Sequence, residues 1–157
     1  MKKLFLLLLL FPSYLFSQQI DYKGLPQWSR HKQDSTEYYL YTPSNMQAGK
    51  KCPVVLAMHR CCGVDNHATL RNTVDPIVRM WHNFGANTQS VPTYIIAPAT
   101  SQGWQQHFAV LKKVMDDLIS NHNGDAQRIY VCGFSMGGAG TFSIIQKYPV
   151  YFAAAIT

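Results

Sequence analysis

Several common chemistries are missing from this 157-residue sequence. It has no H-E-x-x-H string, no C-x-x-C pair and no histidines at ligand spacing, so the usual zinc arrangements are not expected. Its glycines match neither the dinucleotide fingerprint nor the Walker loop. No cofactor and no metal is therefore expected. Only 14% of residues are charged, and the basic ones (Lys50-Lys51, Arg71, Arg79, Lys112-Lys113, Arg128) are scattered, with no run or helical stripe that would fit nucleic acid. Beyond the N-terminal leucines there is no low-complexity tract and no repeat, and no later apolar stretch approaches the roughly 20 residues that span a bilayer. Stable membrane insertion is not expected.

What is present is a globular composition, with 47% apolar residues in a length suited to one domain. The first residues stand apart. Met1-Lys2-Lys3 is a short positive region, Leu4 to Phe11 is apolar and extends weakly to Phe16, and Ser17 is small enough for a cleavage position. This is the layout of a secretory signal peptide over residues 1–17, and it implies a secreted or periplasmic mature chain, 18–157. No cysteine follows the apolar run closely, so a lipoprotein signal is not expected. Setting aside Lys2 and Lys3 from the 14 basic residues leaves 12 against 8 acidic ones, a net charge of +4. Export permits disulfides. Cys52, Cys61, Cys62 and Cys132 allow three pairings, and only the adjacent Cys61-Cys62 bond is disfavoured, by strain.

Along the mature chain, short apolar runs alternate with helical patterns. Thr36 to Thr42, Pro53 to Met58, Thr93 to Ala97 (closed by Pro98), Arg128 to Cys132 and Phe152 to Ile156 read as strands. Val74 to Phe84, Phe108 to Ile119 and the stretch from Ser135 to Lys147 read as helices, the second terminated within Asn121 to Gly124. This alternation implies an α/β fold: a mostly parallel sheet with helices on both faces and sites at the carboxyl ends of the strands.

One such end carries Gly133-Phe134-Ser135-Met136-Gly137, a G-x-S-x-G string between a strand and a helix. That setting is what a nucleophile elbow requires. A serine on a sharp turn crowds its neighbours, and glycine at 133 and 137 removes the side chains that would clash. Gly138 and Gly140 would let the helix approach the sheet. Ser135 is the candidate nucleophile, and the Met136 N–H is placed to donate to an oxyanion.

The segment from Arg128 through Gly-Phe-Ser-Met-Gly-Gly-Ala-Gly to Tyr148-Pro149 and Phe152 to Ile156 resembles secreted α/β-hydrolase serine esterases. The nearest likeness is to the poly(3-hydroxybutyrate) depolymerase, feruloyl esterase and phospholipase/carboxylesterase-like group. The likeness spans Thr36 to Thr157: Pro53 to Met58 followed by His59 matches the family's strand and His-Gly loop, and Thr93 to Pro98 with Trp104 matches its next strand. The resemblance implies an α/β-hydrolase domain that hydrolyses carboxylic esters, small or polymer-linked, through an acyl-enzyme on Ser135. It implies a second oxyanion N–H at Cys61 and a supporting role for His59 in the oxyanion loop. Two departures stand out. Arg60 occupies the family's glycine position, and all six histidines precede Ser135, whereas chain order in this fold is nucleophile, acid, histidine. The expectation is a domain incomplete at its C-terminus. A serine peptidase of the same fold, or an inactive remnant serving as a binding module, are the other readings.

The remaining candidates are weaker. His59 as general base is disfavoured by chain order. His67, His82, His107 and His122 read as surface or capping residues, Asp65 and Asn66 as turn formers, and Asp116 and Asp117 as a solvated helix face. Trp104 fits an acyl pocket or the core equally well.

Overall fold

The computed structural model describes residues 28–60 and 91–157. The segment 1–17, Cys61, Cys62, the expected helix Val74 to Phe84, Asp65, Asn66, His67 and His82 lie outside the described residues. Among the described residues the strands are β1 (Trp28–Gln33), β2 (Thr36–Tyr41), β3 (Cys52–Met58), β4 (Tyr94–Ala99), β5 (Gly124–Gly133) and β6 (Ala154–Ile156), and the helices α1 (Phe108–Asn121) and α2 (Met136–Lys147). The strands form one sheet in the order β1-β2-β4-β3-β5-β6. β3 is parallel to both β4 and β5, β5 is parallel to β6, and the β1–β2 and β2–β4 pairs are antiparallel.

β3 and β4 are buried at every position, as expected of central strands covered on both sides. Their side chains divide with period two. Val54, Leu56, Met58, Ile96, Ile129 and Val131 face α1 (Phe108, Leu111, Val114, Met115, Leu118) and Ile144 of α2. Val55, Ala57, Ile95, Ala97 and Cys132 form the opposite cluster with Trp28 and Tyr41. Both described helices thus cover the same face.

Three details differ from expectation. After the buried Trp28, β1 is polar and half exposed, which hid it from pattern reading; it exists because a tight turn at Asp34 (φ 51°) folds it onto β2, where Arg30 bonds Glu37 at 2.8 Å and His31 stacks on Tyr38. β4 continues through Pro98 to Ala99. The β3–β4 ladder ends at Leu56–Ile96, so Pro98, paired with Tyr38 on β2, needs no donor on the β3 side. β5 begins at Gly124, ahead of the expected Arg128, directly after Asn123 (φ 60°), which terminates α1 within Asn121 to Gly124 as expected; a Cβ on Gly124 would come within 2.8 Å of the Leu118 carbonyl. Cys52 and Cys132 are both buried, and burial pushes the Cys52 thiol up.

Candidate functional site

Parallel register brings the carboxyl ends of β3 and β5 side by side, with Met58 opposite Gly133. Ser135 follows β5 by two residues and His59 follows β3 by one, so both stand on one edge of the sheet. Met136 opens α2, and first-turn N–H groups have no partner within their own helix.

Ser135 lies at φ 57°, ψ −116°, a conformation that β-turns normally give to glycine or asparagine. The Gly137 N–H donates to the Phe134 carbonyl at 3.0 Å and closes the turn around it. A serine preceding a helix ordinarily turns its hydroxyl inward to cap the first N–H groups. Ser135 makes no such bond, and its side chain is exposed.

The glycines explain how so tight a turn fits. A Cβ on Gly133 would strike the backbone of Gly137, and one on Gly137 would strike the Met58 carbonyl. On Gly140 it would lie 2.5 Å from the Trp104 ring. Gly138 differs from expectation: a Cβ there meets nothing closer than 3.4 Å, because that position faces the Gly133 carbonyl at ordinary contact distance.

His59 is 5% exposed and both ring nitrogens have partners. Nδ1 lies 2.7 Å from the Arg60 carbonyl, and Nε2 accepts the Thr100 N–H at 3.2 Å. The Trp104 ring meets it edge-on at 4.9 Å. Trp104 is 2% exposed, which places it in the core; its Nε1 has no hydrogen-bond partner among the described residues.

Two residues are misplaced by sequence reasoning. His107 is neither on the surface nor capping. It is buried, makes no capping bond to α1, and bonds Thr36 Oγ1 at 2.9 Å and Thr100 Oγ1 at 3.0 Å; burial holds its pKa below the ordinary imidazole value. No local signal marks it, since Thr36 lies 71 residues away. Asp116 is only half solvated: it takes Lys112 Nζ at 2.8 Å and the Tyr151 hydroxyl at 2.7 Å, tying α1 to the segment before β6. Burial and this carboxylate push the Tyr151 hydroxyl far up. Asp117 and His122, by contrast, are exposed as expected and lie 3.5 Å apart. No described helix is long and apolar enough to cross a membrane.

No protein-family model matches the chain. Among curated proteins it is 26% identical over 125 residues to poly(3-hydroxyalkanoate) depolymerase C of Paucimonas lemoignei, and 24% identical over 131 residues to acetylxylan esterase A of Emericella nidulans. Each match covers 76% of this chain, but only 30% and 40% of those proteins. Among solved structures it superimposes on a thermostable esterase with a TM-score of 0.64 at 24% identity, covering 82% of this chain and 39% of that one. An acetyl xylan esterase from Aspergillus awamori gives 0.61 at 18% identity, with 82% and 50% covered. The strand order, the serine turn and these likenesses agree: the chain has the α/β-hydrolase fold and is similar to esterases built on it.

Proposed function

We propose that Ser135 is the nucleophile of a secreted or periplasmic carboxylic-ester hydrolase. The observation that carries this reading is the conformation of Ser135. A non-glycine residue at positive φ costs about 1–3 kcal/mol and persists where surrounding structure enforces it, most often at functional sites. Here that conformation coincides with a hydroxyl that is exposed and not spent on capping. The two curated relatives are named for ester bonds in or on polymers, which suggests a polymer-linked acyl group as substrate.

In this reading Ser135 Oγ attacks the ester carbonyl, a base takes its proton, the alcohol departs, and water releases the acyl group. The Met136 N–H donates to the developing oxyanion. The second donor is the N–H of Cys61. His59 Nδ1–H donates to the Arg60 carbonyl at the end of the described β3 segment. His59 itself is an unsuitable base, because Nε2 already receives the Thr100 N–H. Chain order in this fold puts the base histidine after the acid and the nucleophile, so the reading assigns it to none of the six histidines.

The test uses the product of the complete gene. Ser135→Ala is expected to lower p-nitrophenyl acetate turnover by about 10³-fold or more and to abolish labelling by a fluorophosphonate. Undiminished turnover in Ser135→Ala overturns the reading. Ser135-dependent turnover by the 157-residue chain alone would instead place the base upstream, with His59 the first to substitute.

A further inference from the structure

We propose that Thr100 and His107 are positioning residues that hold His59 in one tautomer and one ring orientation, and through it hold the Arg60 carbonyl at the end of β3. The catalytic consequence rests on the oxyanion reading above; the positioning itself does not.

The hydrogen bonds leave little freedom. The Thr100 N–H can only donate, so Nε2 of His59 carries no proton. The Arg60 carbonyl can only accept, so Nδ1 carries the proton. The ring is therefore neutral, with its proton on Nδ1. Moving the proton to Nε2 would aim N–H at N–H on one side and two acceptors at each other on the other, and turning the ring over would put C–H groups in both places. The Trp104 edge contact at 4.9 Å blocks the intermediate tilts.

The Nε2 side of His59 is held by Thr100. The Thr100 hydroxyl accepts the Gln102 N–H at 3.0 Å and meets His107 Nε2 at 3.0 Å. His107 is anchored on its other side by Thr36 Oγ1 at 2.9 Å. The chain thus runs from the Arg60 carbonyl through His59, Thr100 and His107 to Thr36, the first residue of β2. Thr36 is fully buried, and both histidines are 5% exposed. Buried polar groups in a fully connected chain restrict one another, and losing one partner loosens the rest. Filling buried space alone would need none of these donors; the one-way contacts at His59 do.

The measurement is long-range 1H–15N NMR on histidine-labelled protein near neutral pH, with ester turnover as the second readout. The unaltered protein is expected to show His59 as a single Nδ1–H tautomer. Thr100→Val keeps the backbone N–H and the shape but drops the hydroxyl, and His107→Leu removes both nitrogens. In each, His59 is expected to exchange between tautomers, and kcat to fall about 10- to 100-fold with KM little changed, as for a misplaced catalytic group. Thr100→Ser is expected to restore both readouts. A His59 pattern unchanged in folded Thr100→Val overturns the proposal; a mixed pattern there supports it whether or not Ser135 reacts. Ser135→Ala tests the nucleophile separately, so the two failures are distinguishable.

Discussion

The serine turn at the end of β5 and the histidine chain behind the end of β3 sit on the same edge of the sheet and are held by opposite means. Around Ser135 the constraint is backbone against backbone: Gly133 touches Gly137, and Gly137 touches the Met58 carbonyl, with no side chain between them. Around His59 the constraint is a file of side-chain and backbone donors and acceptors from four separate parts of the chain. The first arrangement tolerates no added atom and is indifferent to polarity. The second has room for isosteric replacement but depends on every hydroxyl and ring nitrogen.

Substitutions that respect one rule and break the other should separate the two regions. Gly137→Ala puts a methyl into the Met58 carbonyl and is expected to destabilise by about 3 kcal/mol in denaturant unfolding, as overpacking against unyielding backbone does. A loss below about 1 kcal/mol would falsify the backbone account. Thr36→Val keeps the volume but leaves His107 Nδ1 without its partner, and an unsatisfied buried group costs about 2 kcal/mol.

Acid is a gentler perturbation of the same histidine chain. Burial lowers the His107 pKa, and the Lys32 and Glu37 side chains line the cavity it borders. The unfolded chain takes up a proton near pH 6.5 while the folded one does not. The contribution of His107 is thus fully present above about pH 6.5 and lost as pH falls toward its depressed folded value. Unfolding midpoints near pH 7 and pH 5 are expected to differ more in the unaltered protein than in His107→Gln; equal differences would remove His107 from the acid response.

Ser135→Gly should act in the other direction. It removes the penalty of a side chain at φ 57°, so stability is expected to rise by about 1 kcal/mol while labelling of residue 135 is lost. A neutral or destabilising result would mean that the turn is not strained. The smallest effect belongs to Gly138→Ala. A methyl there reaches only ordinary contact at 3.4 Å, and the helix-forming advantage of alanine, up to about 1 kcal/mol, offsets what tightening remains. A loss as large as that of Gly137→Ala would show that the helix is closer to the sheet than the described geometry has it.

How well each region reads from the sequence follows from the same contrast. The serine turn is local. Its strand, glycines, serine and helix run consecutively from Arg128 to Lys147, and steric rules act over a few residues, so G-x-S-x-G in its setting is legible at once. The central strands β3 and β4 are legible because burial on both faces demands unbroken apolar runs. β1 is not, because Trp28–Gln33 is polar and becomes a strand only by pairing with β2. Trp104 had two equal readings until Gly140, Met58 and His59 were placed around it. His107 had none.

By itself, then, the sequence determined the α/β alternation, the position of the serine turn and the glycines that allow it, since each depends on periodicity or on sterics between chain neighbours. Tertiary structure alone decided that Pro98 could lie within a strand, that Asp116 would join Lys112 and Tyr151, and that Thr36, His59, Thr100 and His107 would meet. The reason is physical. A hydrogen bond between residues 71 apart leaves no mark on local pattern, and a threonine or histidine has the same identity whether solvated or buried; only the fold brings donor to acceptor and excludes the water that would otherwise take its place.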